Sequence, residues 1–448
     1  MMKIPEHIYF LGIGGIGMSA IARYMNLLGK QVAGYDRVES VVTEALVSEG
    51  VEVFYQPDAD HVASADWMVY TPAIGTEHVE FQAAKSRGIP IMKRSQVLGK
   101  ISEGYQTLAV AGTHGKTTTS TMLAHVLKQI GADPTAFLGG ISSNLQSNFT
   151  FGKSDWMVVE ADEFDRSFMT LHPSWSVLTS VDPDHLDIYG SHEEMLANFK
   201  AYVGQCDQVM LHESLAEINW GKPSKTYGIE RGDYRAENLV FEALTTRFDF
   251  VYPAGKLEGL TLHMPGHHNV SNMTAALAIA VEIGMEPSLF ASAVESFSGI
   301  YRRFEVQVDG PDVCYIDDYA HHPTELEAAL RTARSMFPER KLVVVFQPHL
   351  YSRTQDFHEG FSAALSEADE VLLMDIYPAR EEPIPGVTSQ LILDGIKHAK
   401  AQLVSKTELI DALDSRLDGP AVVMTLGAGN IDREVARIGD FLKDRKSS

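Results

Sequence analysis

Short apolar runs alternate with amphipathic segments through the first third of the chain. Residues 7–11 are an apolar run typical of a buried strand, and residues 18–28 repeat apolar positions at helical spacing before Gly29. Further strand-like runs follow at residues 31–35, 67–70 and 89–92. Such alternation predicts a parallel sheet whose strands are connected by crossover helices.

Both patterns continue along the rest of the chain. Residues 107–110 and 117–130 predict a strand followed by a helix, and residues 238–264 look more antiparallel. The other predicted elements are strands at residues 156–160, 176–180, 341–346, 370–376 and 421–426 and helices at residues 273–283 and 355–366.

We place domain boundaries near Tyr105 and near Glu305, which gives domains of residues 1–104, 105–304 and 305–448. A length of 448 residues fits about three domains, each large enough to bury its own core. The predicted fold class is α/β.

The composition is that of a soluble globular protein, with 45% apolar and 22% charged residues. The net charge of −23 argues against nonspecific binding to nucleic acid or an anionic membrane, since both need a basic surface. With two cysteines, Cys206 and Cys314, and no C-x-x-C, we expect neither a disulfide framework nor a thiolate metal site, and a reducing cytoplasm fits best. No apolar window is long enough to span a bilayer, so we expect no membrane insertion.

The segment VAGTHGKTT, residues 110–118, joins the strand at 107–110 to the helix at 117–130. Small residues let backbone N–H groups face an anion, Lys116 neutralises the outer phosphates, and the Thr117 hydroxyl is placed for Mg²⁺. The spacing departs from G-x-x-x-x-G-K-[ST] because position 110 is Val. A glycine-rich turn that caps an ordinary helix is the alternative, but the Lys-Thr pair favours an ATP site.

Residues 12–17, GIGGIG, follow the first strand, and Asp36 ends the second, which satisfies the dinucleotide fingerprint. Alone, it suggests an NAD(P) dehydrogenase; a tight turn and a nucleotide-sugar site are the alternatives. The segment at residues 110–118, which we call the phosphate loop, favours recognition of a diphosphate over a dehydrogenase. Thr71 and Ala73, in the turn after a later strand, either line the same crevice or form an ordinary turn.

Two acidic segments follow predicted strands. In residues 160–165, EADEFD, the strand-end position favours Glu160 as a Mg²⁺ ligand, although acidic runs are often solvated loops. In residues 182–187, DPDHLD, His185 is either a ligand for a second cation or a packed histidine.

Further polar groups cluster at two later places. Asn269 or Asn272 either caps the helix that follows or reads a base edge. Arg303, at the second boundary, either reaches a γ-phosphate on domain closure or belongs to a solvated basic patch. Arg353 is suited to a carboxylate because its guanidinium offers a bidentate fork. The pair His321-His322 lacks zinc spacing, so we expect no zinc site there.

The chain contains many motifs in the same order as a known family, and it resembles the Mur ligases of bacterial peptidoglycan synthesis. The motifs are GIGGIGM, AGTHGKTT, EADEFDRSF, DPDHLDIYG, GHHNVSN, RRFE, DDYAHHPTE and QPHLYSRT. The resemblance covers nearly the whole chain. It implies a Rossmann-like N-terminal domain for the UDP moiety, a central P-loop ATPase domain with a mixed sheet, and a C-terminal Rossmann-like domain for the amino acid.

The resemblance also implies functional residues. Lys116 would contact the β- and γ-phosphates and, with His185, is assigned to catalysis. Thr117, Glu160 and His185 would bind the metal, and His321 and Arg353 would seat the carboxylate of L-alanine. The ATP-binding set is Gly112, Thr113, His114, Gly115, Lys116, Thr117, Thr118, Asn269, Arg303 and Asp318. The UDP-sugar set is Gly12, Gly14, Gly15, Ile16, Gly17, Asp36, Thr71 and Ala73.

The activity that the resemblance implies is ligation of L-alanine to UDP-N-acetylmuramate through an acyl phosphate, with ATP and Mg²⁺. His185 and His321 are alternative bases for the amine proton. The family more often has arginine at Leu350 and glycine at Ala320, and no lysine here is assigned as the carbamylated residue of some relatives. A murein-tripeptide ligase, an NAD-dependent oxidoreductase and a non-catalytic nucleotide sensor are the competing interpretations.

Overall fold

The computed structural model describes residues 4–183, 189–242, 244–379 and 381–445. Within these ranges no helix has both the length and the apolar character that crossing a bilayer requires. The chain forms two compact units, which are Met1–Leu239, Phe248–Thr261 and Val270–Ser298 for the first and Val240–Arg247, Leu262–Asn269 and Gly299–Ser448 for the second. The predicted α/β class is confirmed, whereas the domain boundaries near residues 105 and 305 stay predictions.

The N-terminal sheet is parallel throughout. Its elements are β1 His7–Leu11, α1 Ile16–Leu27, β2 Gln31–Tyr35, α2 Val41–Ser48, β3 Glu52–Phe54, β4 Trp67–Tyr70, α3 Val79–Ser86, β5 Ile91–Lys93 and α4 Arg94–Ser102. The strand order is β3-β2-β1-β4-β5. Because β1 lies between β2 and β4, the winding reverses at its carboxyl end, where ligands of such sheets bind.

The central sheet is mixed. Its elements are β6 Gln106–Ala111, α5 Lys116–Gln129, β7 Thr135–Ser142, β8 Ser147–Thr150, β9 Trp156–Glu160, β10 Trp175–Leu178, α6 His192–Gln205, β11 Gln208–His212, β12 Lys225–Ile229, β13 Tyr234–Glu242, β14 Thr245–Tyr252, β15 Gly255–Leu262, α7 His267–Glu282 and α8 Phe290–Glu295. The strand order is β15-β14-β13-β12-β11-β10-β6-β9-β7-β8. Strand β6 pairs in parallel with β9 and β10, whereas β7 and β8 are antiparallel.

The N-terminal and central sheets share one hydrophobic core inside the first unit. The ring of Tyr24 on α1 lies 5.6 Å from that of Phe137 on β7 and 6.2 Å from that of Phe149 on β8. Aromatic pairs at these distances add to the free energy of apolar burial. Helix α1, which follows the glycine loop after β1, is therefore anchored to the sheet that carries the phosphate loop.

The C-terminal sheet has the order β16-β17-β21-β18-β19-β20, and β16 pairs antiparallel with β17. Its elements are β16 Glu305–Val308, β17 Val313–Asp318, α9 Pro323–Met336, β18 Lys341–Phe346, α10 Tyr351–Leu365, β19 Glu370–Leu373, α11 Gln390–Gly395, β20 Lys400–Leu403, α12 Leu409–Asp414, β21 Ala421–Leu426 and α13 Asp432–Arg445. Both faces are buried, since Ile316 and Tyr315 of β17 enter different cores. The inner strands β18 and β21 are accordingly almost continuous apolar runs, as expected of parallel strands covered on both faces.

Candidate active site

The loop between β6 and α5 requires glycine at two positions. Gly112 has φ +129° and Gly115 has φ +78°, a region that side chains disfavour. A Cβ atom on Gly112 would lie 2.8 Å from the backbone nitrogen of Ser180, and one on Gly115 would lie 2.9 Å from Asn272 Oδ1. Only backbone fits at these positions, which is the geometry of a loop that approaches phosphate closely.

The carboxyl end of β10 holds this loop in place. Thr113 N donates to the carbonyl of Ser180 at 3.1 Å, and His114 N donates to Ser180 Oγ at 2.9 Å. Helix α5 begins at Lys116, so its first N–H groups, including those of Thr117 and Thr118, have no acceptor within the helix. These donors and the positive end of the helix dipole make the turn an anion site.

Lys116 folds back over the loop and pairs with a buried carboxylate. Its Nζ donates to Gly112 O at 2.6 Å and to Thr113 O at 3.3 Å, and it lies 2.9 and 2.7 Å from the two oxygens of Glu163. Burial alone lowers the pKa of Lys116, but Glu163 and the other nearby carboxylates outweigh it and hold that pKa above its ordinary value. Burial raises the pKa of Glu163, although Lys116 opposes the rise.

Glu160 lies beside the phosphate loop at the end of β9. It is the register partner of Val110 on β6, two residues before Gly112. A Cβ atom on Gly139 of β7 would lie 2.7 Å from Glu160 Oε1, so a glycine there leaves room for the carboxylate. Thr117, at the start of α5, is buried.

The other predicted metal ligand, His185, lies outside the described residues. Within the described ranges, no group of three or more His, Cys, Asp or Glu side chains is arranged to hold a metal ion. Oxygen ligands such as the Glu160 carboxylate and the Thr117 hydroxyl suit Mg²⁺.

The glycine loop after β1 is organised by Asp36. Gly14 N donates to Asp36 Oδ2 at 2.9 Å, and Gly12 N donates to the carbonyl of Tyr35 at 2.8 Å. Gly15 precedes Ile16, the first residue of α1, so the N-terminus of that helix opens at the loop. The Asp36 carboxylate therefore accepts a hydrogen bond from the backbone of the glycine loop.

Two further residues predicted for the sugar nucleotide lie at the same sheet edge. Gly12 has φ +89°, and a Cβ atom on it would lie 2.7 Å from Thr71 Cγ2. Ala73 N donates weakly to Thr71 Oγ1 at 3.4 Å. A Cβ atom on Gly17 would lie 2.5 Å from Arg94 Nη1. The structure thus brings the predicted loop, Thr71 and one unpredicted arginine together.

Asn269 and Asn272 have different surroundings. Helix α7 begins at His267, so neither asparagine is its N-cap, contrary to one of the two interpretations of the sequence. Asn269 Nδ2 donates to Pro265 O at 2.7 Å. Asn272 Oδ1 accepts from Thr119 Oγ1 at 3.1 Å and lies beside Gly115, so Asn272 supports the phosphate loop from α7.

The two adjacent arginines at the second boundary differ in burial. Arg302 is buried, and its Nε donates to Asp317 Oδ2 at 2.8 Å, so it is a structural residue. The guanidinium of Arg303 lies 5.2 Å from the centre of the Tyr319 ring. Asp318 accepts from Phe304 N at 2.7 Å, and burial raises its pKa to about 6.

His321 and Arg353 lie close together in the second unit. Burial lowers the pKa of His321 to about 4 against the opposing effect of Glu325, and the charge of Arg353 lowers it further. His321 N donates to Glu325 Oε2 at 3.0 Å. Leu350, where the family more often has arginine, has φ +71° and immediately precedes α10.

The sequence alone does not identify Glu163 or Arg94 as site residues. Glu163 stood in an acidic run with no feature that distinguished it from its neighbours, and Arg94 follows a short strand with no motif. Their partners, Lys116 and Asp162, are distant in sequence, so only the fold identifies these contacts.

Three family models match the chain in the order of its sheets. The model described as "Mur ligase family, catalytic domain" matches residues 7–106. The "Mur ligase middle domain" matches residues 110–280, and the "Mur ligase, glutamate ligase domain" matches residues 302–429.

Curated relatives are similar over almost the whole chain. A UDP-N-acetylmuramate–L-alanine ligase of Porphyromonas gingivalis is 46% identical over 453 residues, covering 98% of this chain and 99% of the relative. The enzyme of the same name from Christiangramia forsetii is 41% identical and covers 97% of each.

Solved structures agree with these matches. The crystal structure of UDP-N-acetylmuramate-alanine ligase from Thermotoga maritima has a TM-score of 0.84 and 31% identity, covering 98% of this chain and 99% of that one. A murein peptide ligase from Psychrobacter arcticus has a TM-score of 0.72 with 24% identity, which shows a shared fold.

Proposed function

The chain belongs to the Mur ligase family, and we propose that it couples ATP hydrolysis to the ligation of L-alanine to the lactyl carboxylate of UDP-N-acetylmuramate. The observation that carries the proposal is the loop of residues 112–115, which meets the N-terminus of α5 beside Lys116 and Glu160. This arrangement fits a triphosphate whose terminal group is transferred to an acceptor. The relatives named for this reaction match the chain nearly end to end.

ATP would bind with its outer phosphates at the first turn of α5. The N–H groups of Lys116, Thr117 and Thr118 are directed outward there, and Lys116 Nζ would exchange Glu163 for a phosphate oxygen. We assign Asn269, Arg303 and Asp318 to the ATP site on the motifs alone. Backbone donors that are already in place lower the barrier to phosphoryl transfer because they need no reorganisation.

Magnesium fits the donors beside this loop. Thr117 would supply its hydroxyl and Glu160 its carboxylate, and His185 stays a proposed ligand from the motif. Bound Mg²⁺ would offset charge on the β- and γ-phosphates. Gly139 supports this assignment because its lack of a side chain leaves space at the Glu160 carboxylate.

The chemistry has two steps. A lactyl carboxylate oxygen attacks the γ-phosphorus and ADP leaves, which gives an acyl phosphate. The amine of L-alanine then attacks the acyl carbon, and the tetrahedral intermediate expels inorganic phosphate, which keeps one oxygen of the carboxylate. The nitrogen loses one proton as the amide forms, and the expelled phosphate takes it up. Lys116 remains in contact with the phosphoryl oxygens through the first step.

The amino acid would bind at the carboxyl edge of the C-terminal sheet. Arg353 offers a bidentate fork for the carboxylate of alanine. His321, whose pKa is about 4, is neutral at pH 7 and can accept a hydrogen bond from the amine, but it is too weak a base to retain the proton. The UDP moiety would occupy the glycine loop after β1 near Asp36 and Thr71.

The experiment is phosphate release with UDP-N-acetylmuramate, ATP and Mg²⁺ against a panel of amino acids and the murein tripeptide. We expect release that depends on L-alanine. Release with the tripeptide in place of L-alanine would identify a murein-tripeptide ligase. ATP binding without amino-acid-dependent release would indicate a nucleotide sensor, and substrate-dependent change in nicotinamide absorbance would indicate an oxidoreductase.

Lys116→Ala is the matched negative control. We expect turnover to be lost and UDP-N-acetylmuramate to bind as in the parent protein, because Lys116 lies on the phosphate loop and the sugar nucleotide site is on the first sheet. Unaltered turnover would refute the role of Lys116.

A further inference from the structure

Arg94 lies at the carboxyl edge of the first sheet, directly after β5 and at the start of α4. The strand ends there are in register, since Leu11 of β1 pairs with Tyr70 of β4, and Tyr70 pairs with Lys93. The glycine loop after β1 and Arg94 after β5 are therefore at the same edge of the sheet, where ligands of such folds bind.

The guanidinium of Arg94 lies against the first turn of α1. A Cβ atom on Gly17 would be 2.5 Å from Nη1 and 3.0 Å from Cδ. The first turn of a helix carries partial positive charge, so a cation held there is unfavourable unless an anion accompanies it. The helix terminus and the guanidinium together favour a negatively charged group.

In this structure the anion is the side chain of Asp162. Its Oδ2 lies 3.3 Å from Arg94 Nη2, and the two side chains are 21% and 33% exposed. Charged pairs of good geometry are shorter, about 2.7–2.9 Å. A long pair between partly exposed groups contributes little to stability, so an anionic ligand can replace Asp162 readily.

Asp162 also connects Arg94 to the phosphate loop. The next residue, Glu163, pairs with Lys116, and consecutive Cα atoms are about 3.8 Å apart. Arg94, Glu160 and Asp162 line one small cavity of about 10 Å³, which is room for about one water molecule. An anion that displaces Asp162 from Arg94 would therefore lie beside the lysine that we assign to ATP.

Resting on the proposed function, we propose that Arg94 binds the lactyl carboxylate of UDP-N-acetylmuramate and orients one of its oxygens towards the γ-phosphate. The reaction requires that carboxylate to lie between the glycine loop and the phosphate loop. Arg94 contacts the glycine loop through Gly17 and the acidic segment beside the phosphate loop through Asp162. A guanidinium can hold a carboxylate by two parallel hydrogen bonds, which fixes its orientation.

The test compares two sugar nucleotides by titration calorimetry with Arg94→Ala. UDP-N-acetylglucosamine has the same diphosphate and lacks the lactyl group. We expect affinity for UDP-N-acetylmuramate to fall by roughly 10- to 100-fold, and affinity for UDP-N-acetylglucosamine to change by less than about threefold. Equal loss for both ligands would assign Arg94 to the diphosphate and overturn the proposal, and so would no loss for either.

Two variants separate a ligand contact from a structural ion pair. Asp162→Asn breaks the same pair from the other side, so a structural role predicts the same effect as Arg94→Ala. We expect the opposite, tighter binding of UDP-N-acetylmuramate by about two- to fivefold, because the competing anion is gone. Lys93→Ala removes the adjacent cation, which pairs with Asp165 at 2.9 Å, and should not discriminate between the ligands.

Arg94→Lys keeps the charge and loses the fork. We expect KM for UDP-N-acetylmuramate to recover in part and kcat to stay low, whereas KM for ATP should stay near the parent value. A parent protein that releases no phosphate with L-alanine would refute the proposed function itself. If the parent protein is active but Arg94→Ala weakens the binding of both sugar nucleotides equally, or of neither, this inference alone is refuted.

Discussion

Glu163→Gln removes one charge from the buried ion pair that holds Lys116 and preserves the shape of the side chain. The pair has N–O distances of 2.9 and 2.7 Å, and its side chains are 13% and 1% exposed. We expect the variant to be less stable than the parent protein without nucleotide. We also expect it to bind ATP more tightly, because the triphosphate replaces the missing anion.

The magnitude follows from the burial of the pair. Removing one partner of a buried ion pair costs about 3–5 kcal/mol. Lysine can instead lose its proton, which at pH 7 costs about 5 kcal/mol from an ordinary pKa of about 10.4. The carbonyl oxygens of Gly112 and Thr113 still accept from Nζ at 2.6 and 3.3 Å, and so does the new amide oxygen. We therefore expect the free energy of unfolding to fall by about 3 kcal/mol.

The assay is urea unfolding with and without a non-hydrolysable ATP analogue and Mg²⁺, together with calorimetric titration of the analogue. If the triphosphate restores about half of the lost stability, ATP affinity rises about tenfold by linkage. Asp165→Asn is the matched control, since Asp165 lies in the same acidic segment, pairs with Lys93 and is 35% exposed. Its cost should be below about 1 kcal/mol, with no change in ATP affinity.

Two results would refute the reasoning. A Glu163→Gln protein as stable as its parent would show that Lys116 does not depend on this carboxylate. A destabilised variant with unchanged or weaker ATP binding would show that the triphosphate does not take over the lysine.

Two further predictions concern the loop and the second unit. Gly112→Ala should abolish ATP binding and lower the free energy of unfolding by about 1–3 kcal/mol, because the φ of +129° and the 2.8 Å approach to Ser180 exclude a side chain. Gly104→Ala is the control and should be neutral, since a Cβ atom there would lie 3.6 Å from its nearest neighbour. The measurement is the melting temperature of each variant with and without nucleotide. The pKa of His321 is about 4, against about 6.5 unfolded, so the native protein binds fewer protons between these values and loses stability as pH falls through them. In His321→Gln, the free energy of unfolding measured with urea should fall by up to about 3 kcal/mol less between pH 6.5 and pH 4 than in the parent protein. The same pH dependence in both proteins would contradict this prediction.

Local patterns predicted the elements that carry the loops. The strand and helix around Gly112 and Lys116 follow from short-range periodicity and glycine placement, and β6 and α5 lie where the pattern indicates. Helix ends were predicted less well. The helix predicted at residues 273–283 begins at His267, because its first two turns are rich in polar residues that obscure the apolar stripe.

Pairings between distant residues could not be predicted from the sequence. Glu163 is 47 positions from Lys116, and Asp162 is 68 from Arg94. The acidic residues at positions 160–165 cannot be told apart by their sequence pattern. The backbone conformation after β9 determines which cationic side chain each of them contacts. The sequence could thus indicate a phosphate loop and acidic partners, but not their pairing.

The most direct measurement uses UDP-N-acetylmuramate labelled with ¹⁸O in both oxygens of the lactyl carboxylate. Turnover with ATP and L-alanine should transfer one labelled oxygen to each released inorganic phosphate, as mass spectrometry would show. Phosphate released without label would contradict activation of the carboxylate by the γ-phosphate at this loop.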